Sequence, residues 1–396
     1  MPGSQPMKPE LSTGSSFVLT RLFNEFFRSE KFSGVLLILC TAFSLLMANA
    51  SWGENYIAFW HQPLGELSLS HWINDGLMAV FFLLVGLEIE REIYIGELSS
   101  FQQASFPIVA ALGGMLVPAG IHFMLNGGTA TAAGAGIPMA TDIAFALGVL
   151  SLAGKAVPPA LKVFLAALAI IDDLGAIVVI ALFYSASLAW GYLLLALLLF
   201  GLLYYLGKRG VMQLSIYLVG GLLLWYFLYR SGVHATLSGV LLAFAIPFGK
   251  GKDASLSARL QQFLHPVVAY GIVPLFALAN TGIIIAPGLL HSLLSLNSLG
   301  IMMGLFIGKP LGIFLFSYIA VQLKVASLPT AVQWKHIVAA GQLGGIGFTM
   351  SIFITLLAFP DTGTIEAAKI AILVASLLAA IIGLTTFRYL ETKRNP

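Results

Sequence analysis

Apolar runs of the roughly 20 residues needed to cross a hydrocarbon core follow one another along the chain, cut by short polar or Gly/Pro breaks. Read between those breaks, they predict twelve helical spans near 32–50, 72–93, 105–126, 137–153, 159–184, 190–207, 212–229, 233–248, 266–286, 298–322, 335–358 and 365–388. No long period-two alternation competes with them. Of the two structures that satisfy their backbone in lipid, helices and closed barrels, the pattern therefore specifies helices. Ahead of the first span, Leu19, Leu22, Phe23, Phe26 and Phe27 sit at helical spacing against Arg21, Glu25 and Arg28, which suits a helix lying in the interface. The expected organisation is an all-α polytopic membrane protein. A tail and interfacial helix occupy 1–31, a single transmembrane unit 32–388 and a second tail 389–396. Within the unit, 51–71 reads as an extracytoplasmic loop or hairpin, and 249–265 as a cytoplasmic linker between two halves.

Composition agrees: 59% of the 396 residues are hydrophobic and 9% charged, against about a quarter charged in soluble domains. The lipid bilayer is thus the partner the chain requires. Its one cysteine, Cys40, lies inside the first apolar run, so there is no internal disulfide to report a redox compartment. Residues 1–16, rich in Ser, Gly and Pro, lack the apolar core of a signal peptide and read as a tail.

Charge placement orients the bundle, because Lys and Arg stay on the cytoplasmic side. Seventeen of the 20 Lys and Arg fall in the termini and the alternate loops of one side, among them Lys31, Arg91, Lys208, Arg259, Lys324 and Arg388. The other side holds Arg230 and Lys369, so both termini are expected in the cytoplasm. One basic residue, Lys309, is left within a span.

The halves carry hints of repetition. Span three contains "GGMLVPAGI" and span ten "IGKPLGI", and each is followed by a helix interrupted by small or polar residues, "GIPMATDIAFALG" and "GQLGGIGFTMSIF". Interrupted helices at matching places in two halves point to the site of a repeat-built transporter.

Subtracting loop charges leaves Asp75, Asp142, the adjacent Asp172 and Asp173, and Lys309 at membrane depth, with Glu88, Glu90, Arg91 and Glu92 near the end of span two. One ionised side chain at a helix centre costs about 2.5–3.5 kcal/mol if it faces lipid, so the aspartate pair must face protein or water. Neighbours on a helix point about 100° apart, which sends the two carboxylates to different partners. Lys309 is the one buried cation available to offset either of them. The other is left for something mobile. Asp142, inside the suspected break, suits the positive end of a half-helix and Lys309 a negative end. Thr141 can bond backbone or offer its hydroxyl to a cation, and Asp75 suits a water-lined passage. His234 ordinarily serves as hydrogen-bonded structure. Desolvation and a like neighbour raise the pKa of an unpaired buried carboxyl, and a cation lowers it, so proton and hard cation can compete for one site near neutral pH.

Other chemistries fit less well. No phosphate-cradling loop, zinc-like spacing or nucleophile elbow is present, which excludes ATP-driven transport and metallo-hydrolysis from the reading. An intramembrane aspartyl protease needs carboxylates about 3 Å apart sharing a proton, which adjacent helical positions do not supply, although Asp142 with Asp172 could. Twelve spans with a buried lysine fit it poorly. A cation- or proton-coupled symporter of an organic solute remains the alternative, though no Asn, Gln or Arg cluster at membrane depth suggests a solute pocket.

Six separated segments, "WINDGLMAVFFLLVGLEIERE", "ATDIAFALGVLSLAG", "FLAALAIIDDLGAIVVIALFYS", "SGVHATLSGVL", "LFIGKPLGI" and "GIGFTMSIFI", together resemble the NhaA family of bacterial Na+/H+ antiporters, in order and from about residue 26 to 388. That family is itself a type example of inverted repeats with broken helices, so the repeat reading and the resemblance are not independent. The resemblance implies about twelve spans with spans four and eleven unwound and crossing at mid-membrane. It implies electrogenic exchange of Na+ or Li+ for more than one proton, no cofactor, no ATP or nucleic-acid partner, a homodimer, and a place in the bacterial inner membrane. By motif match Asp173 is the principal cation ligand and proton carrier, and Asp172 its partner, paired with Lys309. Thr141 and Asp142 belong to the crossing, Asp142 offsetting half-helix ends, and Asp75 to the extracytoplasmic exit. Glu88, Arg91 and Glu92 line the cytoplasmic mouth and take part in pH response; His265, and His234 on the extracytoplasmic side, are further pH-response candidates. One departure weakens the expectation of strong alkaline activation: Gln261 and Gln262 stand where the family's pattern calls for an acid.

Overall fold

The computed structural model describes residues 32–154, 157–184, 188–249, 255–285 and 288–392. The expected interfacial helix at 19–28 lies outside the described residues. Among these, eight helices are long and apolar enough to cross a membrane, and two further pairs qualify as bent spans. With the shorter apolar helices Phe32–Ala48 and Leu237–Ala245, twelve elements follow one another in the expected order. Between the first two, Pro63–Leu64 pairs antiparallel with Leu67–Ser68, and Gly65 makes the turn at φ 75°, a backbone conformation that suits glycine.

The largest boundary correction concerns 249–265. Its second part is the start of the helix Leu256–Asn280, not linker. Ser255 caps this helix by accepting the Ala258 N–H at 3.1 Å, and Leu256, Leu260 and Leu264 bury one side of it. The polar face over the same residues is what makes the segment read as a loop. Span four also begins earlier than expected, as a 3-10 helix at Ala132–Met139, and span eight is shorter, Leu237–Ala245.

Spans three (Phe101–Asn126) and ten (Leu296–Gln322) form a tight seam among the described residues. Gly300, Gly304, Gly308 and Gly312 recur every fourth residue and so share one face of span ten. A Cβ on Gly312 would stand 2.0 Å from the Gly113 carbonyl oxygen, and one on Gly113 only 2.2 Å from that of Gly312. Backbone therefore lies on backbone, the close approach that small residues permit between membrane helices. The segments "GGMLVPAGI" and "IGKPLGI" meet here, with Pro118 lying against Gly304 and Gly308, and Gly312 against Gly113. Towards the Asn126 end polar side chains take over: Asn126 donates to the Leu296 carbonyl at 3.0 Å, and buried His122 bonds Asn297 at 3.0 Å.

Candidate functional site

Span four stops at Met139 and resumes at Ile143; span eleven stops at Gly344 and resumes at Phe348. The axes bend there by 40° and 47°. Pro138 in the first case and Gly344, Gly345 and Gly347 in the second make continuation of a regular helix unfavourable. The two breaks touch. The Asp142 N–H donates to the Ile346 carbonyl at 2.7 Å, and the Thr141 hydroxyl lies 2.9 Å from the Gly344 carbonyl oxygen.

Broken helices expose charged ends inside the protein, and two side chains answer them. Asp142 Oδ1 accepts the Phe145 N–H at 2.9 Å, capping Ile143–Leu152. Its Oδ2 accepts the Thr349 N–H at 3.1 Å and the Thr349 hydroxyl, at the start of Phe348–Ala358. One carboxylate thus neutralises the positive ends of two half-helices. Lys309 Nζ donates to the Met139 carbonyl, the negative end of Ala132–Met139.

Span five, Pro159–Phe183, runs through this crossing as an unbroken helix. Asp172 Oδ2 accepts from Lys309 Nζ at 2.8 Å and lies 2.7 Å from the Thr141 hydroxyl, with both charged side chains fully enclosed. Asp173 turns the other way. It too is buried, its Oδ1 has no hydrogen-bond partner, and it lines a cavity of about 70 Å³ together with Asp142, Thr349, Glu88 and His265. Asp142 has its oxygens engaged by three donors. Of the two aspartates in the cavity, Asp173 is therefore the one with an oxygen to offer a hard cation or a proton, with the Glu88 carboxylate in the same lining.

The remaining candidates lie elsewhere. Arg91 is exposed and Glu92 spends Oε2 on the Glu97 N–H at 2.9 Å; neither lines the cavity, although both neighbour Glu88 in sequence. Glu97, just past the end of span two, has its carboxyl pushed up by burial and then by the Glu92 charge. Asp75 sits near the opposite end of span two, in the π-helical turn Trp72–Leu77, with Oδ2 2.9 Å from His71 Nε2. His234 Nε2 lies 2.8 Å from the Tyr184 carbonyl, which can only accept, so that nitrogen carries the proton.

Thr349 is the partner that reading the sequence missed. As an uncharged residue in a glycine-rich stretch it gives no signal of its own. Its position two residues past the last glycine of the break, inside the first turn of the resumed helix, could have found it. Buried Glu90, within 3.4 Å of the Ser257 hydroxyl, is a second residue whose neighbour only the fold reveals.

The family model described as Na+/H+ antiporter 1 matches residues 24–387. The chain is 57% identical over 371 residues to the Na+/H+ antiporter NhaA of Flavobacterium psychrophilum, covering 94% of this chain and 97% of the relative. To the NhaA of Vibrio cholerae it is 50% identical over 377 residues, covering 93% and 98%. Among solved structures it resembles the sodium proton antiporter MjNhaP1 of Methanocaldococcus jannaschii with a TM-score of 0.52 at 16% identity, over 93% of this chain and 99% of that one, a likeness of fold.

Proposed function

The chain belongs to the Na+/H+ antiporter 1 family, the family of the NhaA relatives, and from that premise we propose that it exchanges Na+ or Li+ for protons by alternating access at Asp173. It is a multi-pass membrane protein and a transporter. In our reading it sits in the bacterial inner membrane with both termini in the cytoplasm, as a homodimer that needs no cofactor. The observation that carries the mechanism is the contrast at mid-span. Asp172 and Asp173 each have one oxygen without a hydrogen-bond partner, but Asp172 is held through Oδ2 by Lys309 and Thr141, whereas Asp173 lines the cavity, which Asp172 does not.

In this scheme Glu88 and His265 form the cytoplasmic mouth through which a cation enters. It loses part of its water to the oxygens of Asp173, helped by the nearby Asp142 carboxylate and Thr349. A proton competes for the same oxygen, so binding of one expels the other. Two protonatable units adjoin the site, Asp173 and the Asp172–Lys309 pair. They make room for more than one proton per cation and so for net charge movement. Asp142 and Lys309 hold the crossing's helix ends neutral while the occupant changes. A cavity of about 70 Å³ supports an ion over the organic solute of a symporter, whose pockets run to roughly 300 Å³ or more.

Everted membrane vesicles holding an acidic interior test the proposal. Added Na+ or Li+ should dissipate the gradient, and Asp173→Asn should abolish the response. A gradient that stays unchanged over neutral to alkaline pH in the parent protein would overturn antiport. A normal response from the mutant would remove Asp173 from its centre.

A further inference from the structure

Three phenylalanines that do not themselves line the cavity meet about one helical turn from residues that do. Phe353 packs against Phe82 with ring centroids 5.4 Å apart and against Phe276 at 6.4 Å, and all three are buried. The same three elements line the cavity one turn earlier, through Leu84 and Val85 of span two, Val273 of span nine and Met350 of span eleven. One turn past Phe276, Asn280 and Asn74 exchange amide hydrogen bonds at 2.7 and 3.3 Å, beside Asp75. On spans two and nine the rings thus lie between the cavity lining and the ends that carry Asp75 and Asn280, an apolar layer on the way from Asp173 to Asp75. A cation there would lose its water and find no replacing oxygen, the condition under which an apolar constriction shuts a pathway.

The members of the trio hang on two separately bonded groups. Phe82 and Phe276 lie on spans two and nine, tied to each other by the Asn74–Asn280 pair. Span nine is tied in turn to span one and to the short helix Gly53–Trp60 after it, whose Ser44 and Tyr56 hydroxyls respectively reach the Leu278 carbonyl at 2.8 and 2.9 Å. Phe353 lies on span eleven, bonded to span four at the crossing and to span twelve through the Phe348 N–H and Ser376 at 3.2 Å. Ring contacts can part without breaking a hydrogen bond. We propose that Phe353 is a gating residue, a plug that seals the extracytoplasmic side while Asp173 faces the cytoplasm and must leave Phe82 and Phe276 for the site to open outward. This rests on the antiport reading above and adds to it the residue that prevents a continuous pore.

The test uses the full chain in proteoliposomes on a Cys40→Ser background. Phe82→Cys with Phe353→Cys, joined by a short bifunctional reagent that forms disulfides, should lose sodium movement by about tenfold or more and regain it on reduction, while the same reagent leaves the sodium movement of each single variant at that variant's own untreated level. Undiminished transport by the cross-linked protein would overturn the plug. Phe353→Ala should let radioactive sodium run downhill with fewer protons returned per cation and an apparent KM for Na+ within about twofold of the parent. Phe353→Leu, closer in volume, should keep the coupling ratio. A Phe353→Ala protein that folds and couples like the parent would also overturn the plug. Failure of antiport in the Cys40→Ser parent itself would instead sink the functional reading beneath it.

Discussion

The two faces of span five at its midpoint carry the same side chain and meet opposite fates. On one face Asp172 is locked by Lys309, Thr141 and the crossing, backed by the glycine seam of spans three and ten. On the other, Asp173 lines a cavity walled in part by apolar side chains of spans two, nine and eleven, with the phenylalanine trio packed about one turn beyond them. The lesson is that chemistry at a buried carboxylate is decided by what the neighbouring elements can do. A backbone-to-backbone seam cannot slide without breaking, whereas a side-chain wall can part.

That contrast can be broken most severely at the locked face. Lys309→Met should leave Asp172 enclosed without its cation and lower stability by roughly 3–5 kcal/mol, since removing one partner of a buried pair strands the other. Asp173→Asn removes a carboxylate that had no such partner and should lose none. Thermal unfolding of the purified proteins in detergent compares them, and equal melting points would show that the two faces are energetically alike. The seam comes next. Gly312→Ala places a methyl where the Gly113 oxygen already stands, at 2.0 Å, and overpacking of this kind costs about 1–3 kcal/mol. Gly120→Ala, on the facing helix with nothing within 4 Å of the added carbon, should be neutral or stabilising by up to about 1 kcal/mol. Similar melting shifts for both would mean that the close approach is not needed. The smallest effect belongs to an exposed cap far from either face. Asp361 accepts the Thr364 and Gly363 N–H groups at 2.9 and 3.1 Å, and the bonds to Thr364 hold its carboxyl below the usual value. A depressed folded pKa gives stability that is full above the unfolded value and lost as pH falls through the folded one. Asp361→Asn should flatten that shallow acid-side loss, and an unaltered acid profile would remove the cap from the account.

Much of the site was legible because charge in an apolar run is expensive enough to stand out. Asp142, Asp172, Asp173 and Lys309 could be singled out without a fold, and glycine and proline marked both breaks. Helix periodicity alone sent the two aspartates to different partners. Thr349 was hidden because a hydroxyl is cheap at any depth and its task is assigned by the other broken helix. The phenylalanine trio was hidden by abundance, three of 28 identical residues, since only packing says which rings meet. The resemblance grouped Arg91 and Glu92 with Glu88, and of the three Glu88 lines the cavity. An amphipathic helix start at Leu256 looked like linker because half its surface is polar, as an interface demands.

Asp142 also sets a timetable for manufacture. Its Thr349 partner lies 207 residues further along the chain, and at about 5–20 residues per second the ribosome needs roughly 10–40 s to deliver it. For that interval the nascent first half must hold a buried acid and an unfinished helix junction in the membrane, with the neutralising strand of chain not yet made. Quality control in the cell therefore meets this transporter first as a half-built crossing, and whatever shelters Asp142 during those seconds bears on yield as directly as the stability of the finished bundle.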